Sequence, residues 1–229
     1  MATITTASLL ARAATILQDP TNIRWPQTEL LDWLNDGQRE IALFKPNVFV
    51  KNIAVQLVAG TKQSLPADGV SLIDVVRNMG TTGSTPGNAI RVVTREILDA
   101  QISNWHASTA AAVVKHYVYT PLDPKTFYVY PPQPSSGMNQ VEVIYVAAPT
   151  DATLVSVITL DDIYMTALLD YVLFRAYTKD AEYANNAQLA QAYYTQFQAI
   201  LQGKTGSEVV ANPNVSLGGF NPNLPGGTK

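Results

Sequence analysis

Hydrophobic positions change their spacing several times along the chain, and each change marks a different kind of element. Over residues 4–17, Ile4, Leu9, Leu10, Ala13, Ala14, Ile16 and Leu17 fall near helical spacing, and Asp19-Pro20 breaks the run, which predicts a short first helix. A second helix starts at Trp25-Pro26, where proline suits a first helical turn. It carries Leu30, Leu34, Gly37, Ile41 and Phe44 along one stripe, widened by Leu31 and Trp33, and Lys45-Pro46 ends it.

From residue 50 the period shortens. Ile53, Val55 and Leu57 alternate with Ala54, Gln56 and Val58, as expected of a strand covered on one face. Ala59-Gly60 turns the chain, and residues 61–65 are expected to pair back as a hairpin arm. Residues 70–76 form an apolar run whose type the pattern leaves open. The glycine, proline and hydroxyl residues of 80–88 predict an exposed loop before a strand at 90–93. Thr94 is placed to cap a short helix through Asp99, and three β-rich runs follow at 113–119, 126–130 and 141–146. The middle of the chain therefore reads as a small antiparallel β unit.

Helix returns at Leu160, with Thr159 as the expected cap and Asp161 and Asp162 in a first turn whose dipole favours carboxylates. Ile163, Ala167, Tyr171 and Phe174 form one stripe, but Tyr164, Met165, Leu168, Leu169, Val172 and Leu173 cover most of the remainder, so this helix must be enclosed on several sides. The next, over 181–202, sets Ala187, Ala190, Tyr194, Phe197 and Leu201 against a face of Gln188, Gln191, Gln196, Gln198 and Gln202. Amides cost less to desolvate than ions, which suits a face that meets protein. Gly203 is expected to stop the helix. The remaining segment is rich in glycine, proline, asparagine and serine, with single apolar anchors at Val209, Val210, Val215, Leu217, Phe220 and Leu224. It cannot bury enough surface to fold alone, and an arm that orders on a partner is expected. The fold class is α+β: residues 1–49 and 151–202 supply the helices of a bundle body, 50–150 a β-rich insertion, and 203–229 an extended C-terminal arm.

Composition narrows the function more by exclusion than by signal. Charged residues are 14% of the 229, well under the roughly 25% of an ordinary soluble domain, so the surface is under-charged. A net charge of -3 gives no bulk attraction to the DNA backbone. Cysteine is absent, which removes disulfides and thiolate metal sites. The N-terminus has no basic region feeding an apolar stretch, and 163–177 is too short and too interrupted to span a bilayer, so a soluble cytoplasmic product is expected, with no membrane partner.

Candidate chemistry is thin. His106 and His116 have no third ligand or nucleophile at a useful spacing. Asp161 and Asp162 point about 100° apart on a helix and suit capping better than shared catalysis. The 80–87 loop lacks a Walker lysine, no serine lies in a nucleophile elbow, and the aromatic cluster of Tyr117, Tyr119, Phe127, Tyr128 and Tyr130 has few basic residues among it, so cross-strand packing explains it. No active site, metal site or cofactor is expected.

Four strings together resemble the head-to-tail adaptor (head-tail connector) family of podophages: 24–26 Arg-Trp-Pro with 29–41 Glu-Leu-Leu-Asp-Trp-Leu-Asn-Asp-Gly-Gln-Arg-Glu-Ile; 74–80 Asp-Val-Val-Arg-Asn-Met-Gly; 127–132 Phe-Tyr-Val-Tyr-Pro-Pro; and 164–177 Tyr-Met-Thr-Ala-Leu-Leu-Asp-Tyr-Val-Leu-Phe-Arg-Ala-Tyr. The resemblance runs over about residues 4–202. It implies a structural virion protein at the head-tail junction, a subunit of a dodecameric homo-oligomer ring below the portal protein that leaves a channel for genomic double-stranded DNA. Its β part would face a tail nozzle or tail-tube protein and tail fibres, and its C-terminal extension would reach the portal. Low charge, the enclosed helix and the amide face point to subunit contacts through Tyr164, Leu168, Tyr171, Gln188, Gln191 and Gln198, with Val209, Val210, Val215, Leu217, Phe220 and Leu224 anchoring the arm on the portal. A tail-tube or capsid-decoration subunit is the alternative, and a tail-associated hydrolase a more distant one.

Overall fold

The structure is a computed structural model that describes residues 3–183 and 185–210, the last seven by backbone alone. Its described residues form an α+β chain with five α-helices and two small sheets, divided into a helical unit from the described residues of 3–45 and 150–210 and a β unit from 46–149.

In the helical unit, α1 (Thr6–Ile16) opens with the Thr5 hydroxyl accepting from the Ser8 amide. Helix α2 is Gln27–Phe44, α4 Met165–Lys179 and α5 Asn186–Val210. Helix α4 is the hub, packed by α1, α2 and α5. The stripe read in α2 holds: Leu30, Leu34 and Ile41 are fully buried. Gly37 serves a close approach, because a Cβ there would sit 2.8 Å from Leu168 Cδ1 and 2.9 Å from Tyr171 Cδ1. Asn35 and Gln38 fasten α2 to the segment before α4. Asn35 Oδ1 accepts from the Ala152 amide at 2.7 Å and from Gln38 Nε2 at 3.0 Å, and Asn35 Nδ2 donates to the Ala152 backbone carbonyl.

Two expectations for these helices are corrected. Thr159 does not cap α4, which is entered through a 3₁₀ turn at Asp162–Tyr164; the Thr159 hydroxyl instead faces Gln38 Oε1 at 3.4 Å. Asp162 is occupied elsewhere, accepting from the Thr3 amide, the Thr3 hydroxyl and the Ile4 amide and so fastening the N-terminal residues. Gly203 does not stop α5. It keeps a helical backbone, with open space where a Cβ would be, and the helix continues to Val210 because no left-handed turn forms at this residue.

The β unit contains β1 (Val50–Gln56), β2 (Gly60–Ser64), β3 (Gly69–Asn78), β4 (Arg91–Val92), α3 (Arg95–Gln101), β5 (His116–Tyr119), β6 (Thr126–Gln133) and β7 (Gln140–Ala147). One sheet runs β1-β7-β3 and the other β2-β6-β5-β4. Val141, Val143 and Tyr145 of the first meet Phe127, Val129 and Tyr117 of the second in a common core. On the far side of the second sheet, Leu98 of α3, Trp105 and Val118 form a smaller cluster.

The expected hairpin of residues 61–65 on the preceding strand does not form: β2 pairs with β6, and β1 with β7. The chain crosses between sheets at residues 57–60, where the buried Gln63 amide donates to the Val58 and Gly60 carbonyls and its Oε1 accepts from the Val58 amide. Nor is the unit wholly antiparallel, since β4 lies parallel to β5. The connection through α3 is long enough for that crossover.

The open-ended 70–76 run is strand β3, and its pattern has a local cause. Register shifts against β7 occur at three places, so that Val70, Ile73 and Val76 are extra residues while Gly69, Leu72, Val75 and Asn78 are buried. The inward period is therefore three rather than two.

Candidate functional site

The chemistry sought in the sequence stays undeveloped in three dimensions. His106 stacks on Trp105 with ring centroids 3.7 Å apart, and its Nδ1 lies 2.8 Å from the Thr61 hydroxyl. His116 stacks on Tyr130, and its Nδ1 is buried without a partner. Both serve packing in the β unit. The Tyr117 hydroxyl donates to Asp74 and the Tyr145 hydroxyl to Asp68. Burial, reinforced by the neighbouring carboxylate, pushes both phenols up, Tyr145 to about 12. Lys51 donates to Asp68 at 2.6 Å and holds that carboxyl below its ordinary range against the opposing effect of burial. Among the described residues no group of three or more histidine, aspartate or glutamate side chains could hold a metal ion, and no helix is long and apolar enough to cross a membrane.

What the geometry does offer is exposed surface on two elements of the helical unit. The loop between α1 and α2 is held stiffly: Asp19 accepts from the Ile23, Arg24 and Trp25 amides, and Gln18 and Asn22 adopt left-handed backbone. These amide bonds, the one from Trp25 foremost, lower the Asp19 carboxyl below its usual range, with the Arg24 charge adding to them and burial opposing. Arg24 pairs with Asp180 and lies over the rings of Trp25 and Tyr183. The loop thereby holds Ile23 out in solvent. Nothing in the hydrophobic spacing signals this device; the Asp19-Pro20 break is its only trace in sequence.

Helix α5 is the other such surface. Residues 183–203 contain no charged side chain. Phe197 and Leu201 turn inward, with Phe197 against Tyr171 at 5.3 Å and Phe44 at 6.2 Å, while Gln188, Gln191, Gln196 and Gln202 are exposed and Gln198 is half-buried. Tyr164, Leu168 and Tyr171 lie in the interior of the helical unit. Of the residues read as portal anchors, Val215, Leu217, Phe220 and Leu224 are outside the described residues, and so are the side chains of Val209 and Val210, whose backbone ends α5.

Charge is unevenly shared. The helical unit's sequence has 8 basic and 12 acidic residues, the β unit's 7 and 6. Four of those acids, Glu29, Asp32, Asp36 and Glu40, lie along one side of α2 at spacings of three and four residues.

A family model described as the SU10 adaptor protein matches residues 4–216. The chain belongs to that family. No curated protein matches it. Membership makes this adaptor a structural component of a phage virion rather than an enzyme, a podophage head-tail adaptor whose role is to bind portal and tail components. The structure also explains two of the strings that carry the resemblance. In the first, Trp25 Nε1 donates to the Ala176 carbonyl, and Asn35, Gly37 and Gln38 make the contacts of α2 described above. In the second, buried Asn78 donates to the Asn88 and Val114 carbonyls and accepts from the Val114 amide, closing the 80–88 loop at its base.

Proposed function

We propose that this adaptor forms a ring of twelve copies beneath the portal, joins it to the tail and leaves an axial passage for double-stranded DNA. Membership of the adaptor family over nearly the whole chain is the observation that carries the reading. Under-charged surface and an amide-lined α5 support copy-to-copy contact, with Gln188, Gln191 and Gln198 at the contact and Tyr164, Leu168 and Tyr171 fixing the helices from within. The β unit faces the tail nozzle or tail-tube protein and the fibres. The segment following α5 reaches the portal, its apolar anchors Val215, Leu217, Phe220 and Leu224 continuing from Val209 and Val210. Anchors of this kind order on contact, at an entropic cost offset by the surface they bury.

Removing residues 211–229 leaves α5 whole and tests the arm. Sedimentation with purified portal should show binding weakened at least about tenfold, or 1.4 kcal/mol. Full-affinity binding by the shortened chain eliminates the arm as the anchor, and a mass of the portal-bound assembly other than twelve copies eliminates the stated ring.

A further inference from the structure

The helical unit carries two separate exposed faces that avoid charge. On α5 the outward residues are Gln188, Ala192, Thr195, Ala199 and Gln202, flanked by Leu189, which is 41% exposed. On α1 they are Ala7, Ser8, Ala11 and Thr15, with Arg12 the helix's one charged residue and Ile16 exposed beside them. The threonine hydroxyls on both faces are already satisfied within their own helices, whereas the glutamine amides and Arg12 are left to bond across a contact. Thr195 Oγ1 donates to the Gln191 carbonyl at 2.8 Å and Thr15 Oγ1 to the Ala11 carbonyl at 2.9 Å, so covering them strips little hydration. Beside α1 a cavity of about 200 Å³, with Leu10, Ala11, Ala14 and Pro20 on its apolar side and Thr15, Asn22 and Gln27 on its polar side, has room for one aliphatic side chain. Helix α2, the third element around α4, presents charge instead: Asp32 and Glu40 stand beside the ion pairs Glu29–Lys179 and Asp36–Arg39.

We infer that the α5 face of one copy packs on the α1 face of the next, with Leu189 entering the cavity beside α1. This rests on the ring reading above and says which surfaces close it. A second copy is the occupant these surfaces favour, because both halves of the match belong to one chain: faces poor in charge meet, the exposed Leu189 meets a cavity large enough for its side chain, and the lone Arg12 meets glutamine carbonyls that can accept from it. Two different faces on one subunit make a heterologous contact, which repeats head to tail and gives a ring when the rotation between copies closes. Helix α1 is about 16 Å long, so the strip covers on the order of 200–300 Å² per partner, far below the ~800 Å² of a stable pair. One contact is therefore weak, and closure, in which every copy makes two, holds the assembly.

The natural chain has no cysteine, so introduced thiols report cleanly. Ala11→Cys and Ala199→Cys chains would be mixed, assembled alone at high concentration and on purified portal, and treated with a short bismaleimide. The mixture should give a covalent dimer, each variant alone none, and the double variant a ladder up to the full ring. Dimers from Ala199→Cys alone, or rings of correct mass without a ladder, overturn the assignment and leave the adaptor ring standing. Failure to form rings under either condition overturns both. As a second route, Ala192→Glu with Ala199→Glu should keep the melting temperature and lower the ring fraction more than tenfold, whereas Asp32→Lys should leave it unchanged; equal effects from the two reject the inference.

Discussion

The helical unit is assembled from the two ends of the chain, whereas the β unit is one uninterrupted segment, residues 46–149. They are also stabilised differently. The helical unit relies on apolar packing around α4 and on glycine at a close approach, and it leaves a carboxylate inside. The β unit has two sheets sharing one core and uses buried amides, Gln63 and Asn78, to hold its crossings and loops. Buried amides occur in both units, and the difference lies in what they hold: Asn35 and Gln38 fix a helix to the segment before α4, while Gln63 and Asn78 fix the crossings and loops between strands.

The sharpest way to break that contrast is to empty each core in turn. Phe127→Ala should cost the β unit about 3–5 kcal/mol and Leu168→Ala the helical unit about 2–5 kcal/mol. Hydrogen exchange should rise first in the unit that carries the change, and identical exchange patterns for the two variants would show that the division has no energetic meaning. Next in size, Asn78→Ala strands the Val114 amide and removes two donations, at about 3 kcal/mol in denaturant unfolding. A loss below about 1 kcal/mol would mean that packing, not the amide, holds the loop.

Asp170 comes third. It is 4% exposed, its Oδ2 has no partner, and burial raises its carboxyl to about 6 from 3.8. The folded chain thus keeps a proton that the unfolded chain has lost, so stability falls as pH rises from about 4 to about 6 and is lowest above that. Asp170→Asn should flatten this slope and gain on the order of 1–2 kcal/mol at pH 7. An unchanged slope would assign the effect to another group. The smallest effect is expected from Asp162→Asn. The Thr3 and Ile4 donors, Thr3's hydroxyl first, hold this carboxyl below its ordinary value, so its contribution is present above pH 3.8 and lost as pH falls through the folded value. Exchange at the Ile4 and Thr6 amides should quicken in the variant while the melting temperature hardly moves.

Periodicity made most of the helical unit legible. The inner positions of α1, α2 and α4 lie where hydrophobic spacing put them, although Phe44 and Ile163 at the ends of their stripes are exposed; strands β6 and β7 are also where the alternation put them, whereas β1 forms without a covered face and leaves Ile53 exposed. Pairing was less legible, because which strand β2 joins depends on residues about seventy positions away rather than on its own alternation. Capping misled at Thr159 and at Asp162, since the same side chains serve a cap or a distant amide equally well, and only the folded chain brings Thr3 to Asp162. Gly203 misled for a related reason: its residue type permits a left-handed stop but does not require one. The enclosed character of α4 was legible, but the cover was expected from neighbouring copies, whereas Tyr164, Leu168 and Tyr171 are already buried within the chain's own helical unit.

Strand β3 advances nine residues while β7 advances six, and both the facing set and the bulged set contain aliphatic side chains. Were β3 to slip by one position, Val70, Ile73 and Val76 would turn inward in place of Gly69, Leu72 and Val75, and oiliness alone could hardly tell the two alignments apart. Asn78 breaks the tie, because only one alignment delivers its amide to the waiting groups of Val114 and Asn88. A single polar side chain thus acts as the detent of an otherwise slidable ribbon.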